Sequence, residues 1–200
     1  LATLAERYRN PDKDPDIPFV WRAMEWAKPK TGIIALALPA RVFGRTSGPG
    51  FEIWKALLRS LAVTGLLNGA DLRKTAVWEG IDVPFCLLFA RNTASPKEHR
   101  FYYSTPRYEP DLNGQGRFRI DYEAARPVSM ERVERQPWVL KALSLGTWGD
   151  VEVMEHLLRA FPRTLGEVWG EWDPEGNKTG QGFNLSPGLV QKPADFLARL

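Results

Sequence analysis

Apolar positions recur along this chain in two rhythms, and their alternation predicts the elements. Leu1 to Tyr8 repeats apolar residues at helical spacing and stops at Asn10-Pro11. The hydrophilic stretch Pro11 to Pro18 holds three prolines, each lacking an amide donor, and reads as a loop. A helix is predicted next, with Phe19, Ala23, Trp26 and Ala27 on one face and Pro29 ending it. Gly32 to Pro39 is short and continuously apolar between glycine and proline, the pattern of a central strand covered on both faces. A Gly/Ser/Pro-rich loop, Gly44 to Gly50, leads to a helical stripe of Trp54, Leu57, Leu58 and Leu61 with Lys55 and Arg59 facing away. Val63 to Leu67 and Val83 to Ala90 are two further apolar strands. Helix and strand therefore alternate from Phe19 to Ala90, which predicts an α/β sheet. Three strands leave two vulnerable edges, so more sheet is expected from the parent polypeptide or another chain.

Beyond Asn92 the pattern changes. Arg100 to Tyr108 and Arg117 to Ala124 alternate aromatic and charged positions around Asn113-Gly114-Gln115-Gly116, which predicts a β-hairpin. Helices follow near Met130 to Leu143 and at Val151 to Phe161, the latter with a stripe of Met154, Leu157, Leu158 and Phe161. From Gly170 the chain is rich in Gly, Pro, Asn and Asp and reads as loop. The domain division expected is 1–92 for the α/β part and 93–200 for a hairpin and helical connector.

Composition narrows the classes. The 200 residues, 44% of them hydrophobic, suffice for a real core. No apolar run approaches the roughly 20 residues of a membrane helix, and no secretion signal opens the chain, so a cytoplasmic location is expected. Cys86 is the only cysteine and sits in an apolar run, which excludes an internal disulfide and a cysteine-based zinc site. The two histidines, His99 and His156, have no metal-binding spacing. A net charge of +3 permits a polyanionic partner without demanding one. Eight tryptophans and ten phenylalanines supply core, and the same residue types serve base stacking.

The run from Phe19 to Pro39, with Lys28-Pro29-Lys30-Thr31-Gly32 at its centre, resembles the helix, "lysine-proline-x-x-glycine" turn and fifth strand that follow the catalytic motif in N6-adenine DNA methyltransferases. Leu57-Leu58-Arg59, Val63 to Gly69, and Val77 to Leu88 resemble that family's sixth strand, aromatic-bearing loop and seventh strand, in order. The resemblance spans roughly Leu1 to Asn92. It implies a partial Rossmann-like methyltransferase sheet, its last three strands with flanking helices, followed by the hairpin and helices. It further implies a parent that transfers a methyl group from S-adenosylmethionine to adenine N6 in DNA, within a restriction-modification system.

The departures bear on the site. The family's glycine-rich cofactor loop and its Asn/Asp/Ser-Pro-Pro-aromatic tetrapeptide are absent; Asp16-Ile17-Pro18-Phe19 and Asp82-Val83-Pro84-Phe85 each lack the first proline. No catalytic and no cofactor-binding residue is therefore expected in this chain, and S-adenosylmethionine belongs to the parent enzyme. Trp78 occupies the place of the aromatic that packs against the flipped adenine, although it equally suits a cover for the sheet end. Arg41, Arg45 and Lys74 lie at or beyond strand ends, where they are candidates for phosphate or for ordinary solvation. Arg100, Arg107, Arg117 and Arg119 are interleaved with aromatics, as along a DNA backbone. Expected partners are DNA, the remaining N-terminal half of the parent, and a second copy through an exposed sheet edge. The competing expectation is a non-catalytic DNA-binding or scaffold domain that completes its sheet with a partner chain.

Overall fold

A computed structural model of the chain describes residues 16–46, 48–122 and 125–163. The helix expected at Leu1 to Tyr8 and the loop expected from Gly170 lie outside those residues. Two compact units are delimited, Leu1–Val151 and Glu152–Leu200, and the sheet belongs wholly to the first.

Helix α1 (Asp16–Trp26) leads into strand β1 (Ile33–Pro39); helix α2 (Gly48–Ser60) leads into β2 (Ala62–Asn68), and β3 (Phe85–Arg91) follows. Between α1 and β1 the Lys28-Pro29-Lys30-Thr31-Gly32 turn closes with the Gly32 amide donating to the Lys28 carbonyl at 2.7 Å. A Cβ on Gly32 would lie 2.6 Å from that oxygen, so only glycine fits the approach. Asn92 ties the turn to the sheet, its side-chain amide donating to the carbonyls of Met24 and Ala27 at 2.8 Å each.

The three apolar strands lie side by side as expected, but not in chain order. β3 sits between β1 and β2 and runs antiparallel to both, with Leu36 opposite Leu88 on one side and Leu66 opposite Leu88 on the other. β1 and β2 therefore point the same way. A bulge at Thr64 shifts the β2–β3 register, and the Thr64 hydroxyl donates to the Phe89 carbonyl at 3.2 Å. Two more strands extend the sheet: β4 (Arg100–Ser104) parallel to β2, and β5 (Pro127–Ser129) antiparallel to β4, giving the order β1-β3-β2-β4-β5.

The hairpin expectation is corrected here. β4 does acquire an antiparallel neighbour, but the neighbour is β5, and residues 117–120 are not strand. Asn113 and Gly114, read as a turn signal, instead close a short helix α3 (Pro110–Asn113). Asn113 is fully buried, where its side chain accepts from the Glu109 amide at 2.7 Å and donates to the Arg117 carbonyl at 2.9 Å. A side chain that bonds its own backbone competes with a strand ladder, and here it wins.

The helix expected near Met130 to Leu143 is two helices, α4 (Met130–Arg135) and α5 (Trp138–Leu145), because Pro137 between them has no amide to continue the ladder. Ser129 caps α4, its hydroxyl accepting from the Arg132 amide at 3.2 Å. Helix α6 (Trp148–Ala160) opens with Asp150 accepting from the Thr147 amide at 2.6 Å and the Thr147 hydroxyl at 2.8 Å. These bonds hold the fully exposed Asp150 carboxyl below its ordinary range. The stripe expected on α6 stays largely uncovered, with Met154, Leu157 and Phe161 exposed.

The core lies on one face of the sheet. Ile34, Leu38, Cys86, Leu88, Ala90, Val63, Leu66, Phe101 and Val128 point to it, and α1, α2, α4 and α5 cover it. Helix α2 contributes Trp54, Leu57 and Leu58 at 1% exposure or less, the stripe its sequence announced. Helix α1 forms where expected but buries Ile17, Val20 and Trp21, leaving Phe19 65% and Trp26 77% exposed. Of the expected face, Ala23 and Ala27 pack partly against the core, whereas the larger Phe19 and Trp26 stay out. The cover expected on both faces is only partial on the opposite one: Phe85 and Leu67 at its carboxyl end are buried, while Ile33, Ala35, Ala37, Phe89 and Tyr102 are exposed.

Arg59 on α2 and Glu134 on α4 link two covering helices through paired bonds of 2.8 and 3.1 Å. Hydrogen bonding to Glu134 and its charge raise the arginine's affinity for its proton. Arg59 is 62% exposed, so solvent screens the pair; a double-mutant cycle with alanines at both positions is expected to give a coupling of about 1 kcal/mol or less. A larger coupling would mean that the pair fixes the helix layer.

Candidate functional site

Because β1, β2 and β4 run the same way, their carboxyl ends share one edge of the sheet, together with the start of β3; Pro39 faces Phe85, Asn68 faces Cys86, and Leu67 faces Ser104. Ligands of α/β sheets gather at such edges, beyond the strand termini. The segments that leave this edge carry Trp78, Arg41, Arg45 and Lys74.

Trp78 ends a short 3-10 turn, Ala76–Trp78, that Thr75 caps by accepting from the Val77 amide at 3.2 Å. Its indole packs edge-on against Phe85 with ring centroids 5.1 Å apart, and 37% of the residue remains exposed. Phe85 in turn is pressed against Gly69, where a Cβ would fall 2.3 Å from the ring. Gly69 donates its amide to the Phe85 carbonyl at 2.8 Å, so the platform under Trp78 is held by backbone as well as by packing. The tryptophan thus both covers the start of β3 and keeps a substantial surface free for a flat ligand.

Lys74 lies in the same loop in a left-handed conformation, φ 59°, its amide donating to the Ile81 carbonyl at 2.9 Å. Arg41 follows β1 in the turn Ala40–Val42 and pairs with Asp16 at 3.3 Å, so the first residue of one decoy tetrapeptide serves to hold an arginine. Arg45, half-buried, is in the following loop and is also engaged. Arg41 and Arg45 are therefore tethered cations, whereas Lys74 is an exposed one.

Sequence reading missed a buried polar group at this edge. Asn68 is 8% and Tyr103 6% exposed, and the polar side chains of Thr105, Asn68 and Ser144 surround the Tyr103 phenol. A cavity of about 160 Å³ lies against them, bounded also by Phe43, Cys86, Leu140 and Lys141. Asn68 ends an apolar strand and Tyr103 sits mid-strand, so neither carried a distinctive sequence signal. Burial pushes the Tyr103 phenol above its ordinary range, partly offset by its polar neighbours Thr105, Asn68 and Ser144. Burial likewise pushes the Cys86 thiol far up, against a lowering contribution from backbone hydrogen bonding.

Both groups bind their proton more tightly folded than unfolded. Their stabilising contribution is therefore whole below the unfolded values, roughly 8.5 for a thiol and 10 for a phenol, and is lost as pH rises past them. The urea midpoint is expected to fall progressively above about pH 8.5, and Cys86→Ala to remove the earlier part of the fall. A midpoint flat to pH 11 would contradict the burial of both groups.

A wider groove of about 450 Å³ opens beside the carboxyl end of β4, lined among others by Arg107, Arg119, Arg126, Glu109, Asp121 and Trp148. Arg107 donates to the Gly146 carbonyl at 2.7 Å and lies 3.5 Å from Asp71; Arg119 pairs with Glu109 at 3.3 Å. Of the four interleaved arginines, the structure brings Arg107 and Arg119 into this groove. It sets Arg100 at the opposite end of β4. Among the described residues no group of carboxylate, histidine or cysteine side chains is arranged to hold a metal ion, and no helix is long and apolar enough to cross a membrane.

The class these features define is a mixed α/β domain with a helix-covered five-stranded sheet and a polar, aromatic-bearing carboxyl edge. No known family model matches the chain, and no curated protein matches it in sequence. Among solved structures it is similar to the methyltransferase subunit of a type I restriction-modification system from Streptococcus thermophilus, at TM-score 0.49 and 14% identity over 69% of this chain and 32% of that one. It is also similar to a chain from work on complex assembly and conformational transition of the type I R-M system, at TM-score 0.48 and 16% identity, covering 82% of this chain and 40% of the other. The chain thus spans 32% and 40% of the length of the two solved chains it resembles.

Proposed function

We propose that this chain is the later part of the catalytic domain of an S-adenosylmethionine-dependent DNA methyltransferase of a restriction-modification system, acting on adenine N6. The observation that carries the reading is the side-by-side set β1, β3 and β2, entered from α1 through the Lys28 to Gly32 turn and bearing Trp78 at the carboxyl edge. Those are the segments on which the sequence resemblance rests. Trp78 on its Phe85 platform is suited to stack on a base drawn out of the duplex, because an indole with one edge fixed loses little freedom when a flat ring covers it. Lys74, with Arg41 and Arg45 beside it along the edge, would meet the phosphates flanking that base.

By the resemblance, S-adenosylmethionine would sit on a glycine-rich loop, following the first strand of the whole family sheet, that this sequence does not carry. Its site and the Asn/Asp/Ser-Pro-Pro-aromatic tetrapeptide would reside on another stretch of polypeptide. The test is direct: the chain is expressed alone and together with the polypeptide encoded immediately upstream, and N6-methyladenine is measured in duplex DNA. Methylation only by the pair is expected; a pair that leaves adenine unmodified in DNA of varied sequence sinks the reading.

The non-catalytic alternative, a DNA-binding or scaffold domain, is favoured by the arginine-lined groove beside β4. In that case the chain alone binds duplex DNA with an affinity that falls steeply with salt.

A further inference from the structure

The amino edge of the sheet, opposite the edge that carries Trp78, gathers cations that the fold leaves unmatched. Arg91 ends β3 opposite Ile33, the first residue of β1, and Arg100 begins β4. Lys28 and Lys30 stand in the turn before β1, where the Lys30 amide donates to the Asn92 carbonyl at 2.8 Å. Lys97 lies in the connection from β3 to β4, which the Ser95 hydroxyl fastens to α2 by donating to the Leu58 carbonyl at 2.6 Å. All of these cationic residues are exposed, and none forms an ion pair or a side-chain hydrogen bond with another described residue. Within residues 28–33 and 91–100 the single carboxylate is Glu98.

Other charges on the molecule are matched. On the helices Arg22 pairs with Glu25, Arg59 with Glu134 and Arg135 with Glu131. At the carboxyl edge Arg41 meets Asp16, Arg107 meets Asp71 and Arg119 meets Glu109. The unmatched row follows the strand order β1-β3-β2-β4, so it runs about 14 Å at ordinary strand spacing. It stands about 23 Å from the carboxyl edge, the length of a strand such as β1. Crowded like charges repel one another, and an opposite polymer relieves them while releasing its own counterions. Phosphates of one DNA strand recur every ~3.4 Å of duplex axis, so a row of this length spans about four of them. Carboxylates on a protein surface have no such fixed repeat, and the guanidinium forks of Arg91 and Arg100 suit two phosphate oxygens each.

We propose that the amino edge is a sequence-independent binding surface for the phosphate backbone of duplex DNA, separate from the edge that carries Trp78. The proposal goes beyond the functional reading above and does not rest on it, since backbone contacts hold a duplex without reading or altering its bases. Where that reading also holds, the DNA gripped here flanks the reacting base and does not contain it, because a whole strand length separates the two edges.

The test takes the chain alone with a short labelled duplex of arbitrary sequence and follows binding by fluorescence anisotropy between about 50 and 200 mM salt. Lys28→Gln, Lys30→Gln, Arg91→Gln and Arg100→Gln together are expected to weaken binding about tenfold or more. They should also flatten the logarithmic salt dependence by about 3 to 4, near 0.9 for each lost phosphate contact. Melting is expected to be unchanged, because all four side chains are exposed and unpaired. Exchanging lysine for arginine and arginine for lysine at the same positions keeps the charge and is expected to keep the slope. A second measurement needs no variant: acetylation of surface lysines, located by mass spectrometry, is expected to be slowed by the duplex at Lys28, Lys30 and Lys97. A quadruple variant with the parent's affinity and slope overturns the proposal, as does an unaltered chain that leaves the duplex unbound. Protection confined to Lys74 and Lys141, at the carboxyl edge, overturns it too. So does equally tight binding of poly-glutamate, which would assign the surface to an acidic protein. Adenine methylation by the assembled protein is read separately, so either idea can fall without the other.

Discussion

Trp54→Ala is expected to destabilise the fold by about 3–5 kcal/mol, the usual cost of removing a fully buried indole and leaving its cavity. The side chain is 1% exposed on α2, and Phe43 meets it edge-on with ring centroids 4.3 Å apart. That contact joins the helix before β2 to the loop after β1, so the loss loosens both. Urea denaturation checks it: the midpoint should fall with the slope unchanged, and Trp54→Phe should recover part of the loss. A fall of under about 1 kcal/mol would mean that the site collapses on itself and that α2 is not the central cover of the sheet.

Trp78→Ala has a different signature. Under the proposed function, it is expected in the assembled protein to weaken binding or turnover of target DNA by about 1–3 kcal/mol, the range for one base-stacking aromatic. The indole also covers Phe85, so some stability is lost with it. Trp78→Phe separates the two roles, since a smaller ring retains much of the stacking. Steady-state kinetics on DNA together with a melting curve decide: lost stability with unchanged kinetics would make Trp78 only the cover of the sheet end.

Much of the fold was legible because apolar rhythm and backbone punctuation act locally. Gly32, Pro29 and Pro39 bound β1, and the Trp54, Leu57, Leu58 stripe marks the buried face of α2, since both signals lie within a few residues. Helix α1 carried Phe19 and Trp26 on its expected face, and only tertiary packing chose Ile17 and Val20 over them. The hairpin expectation failed for a related reason. Alternation in Arg117 to Ile120 was a local signal with no ladder to join, because the edge of β4 pairs with β5. The candidate site was legible in part: Trp78, Arg41, Arg45 and Lys74 stood beyond predicted strands, whereas Asn68 and Tyr103 resembled ordinary strand residues.

The sequence by itself determined the three apolar strands, the helices that precede two of them, the turn at Lys28 to Gly32 and the burial of Cys86, since each follows from the composition of a short window. The tertiary structure alone decided that β3 inserts between β1 and β2, that β4 and β5 extend the sheet, and that Asp16 holds Arg41. It alone decided which face of the sheet carries the main core. Strand order and partner choice depend on contacts between residues far apart in the chain, whose energies no local window contains.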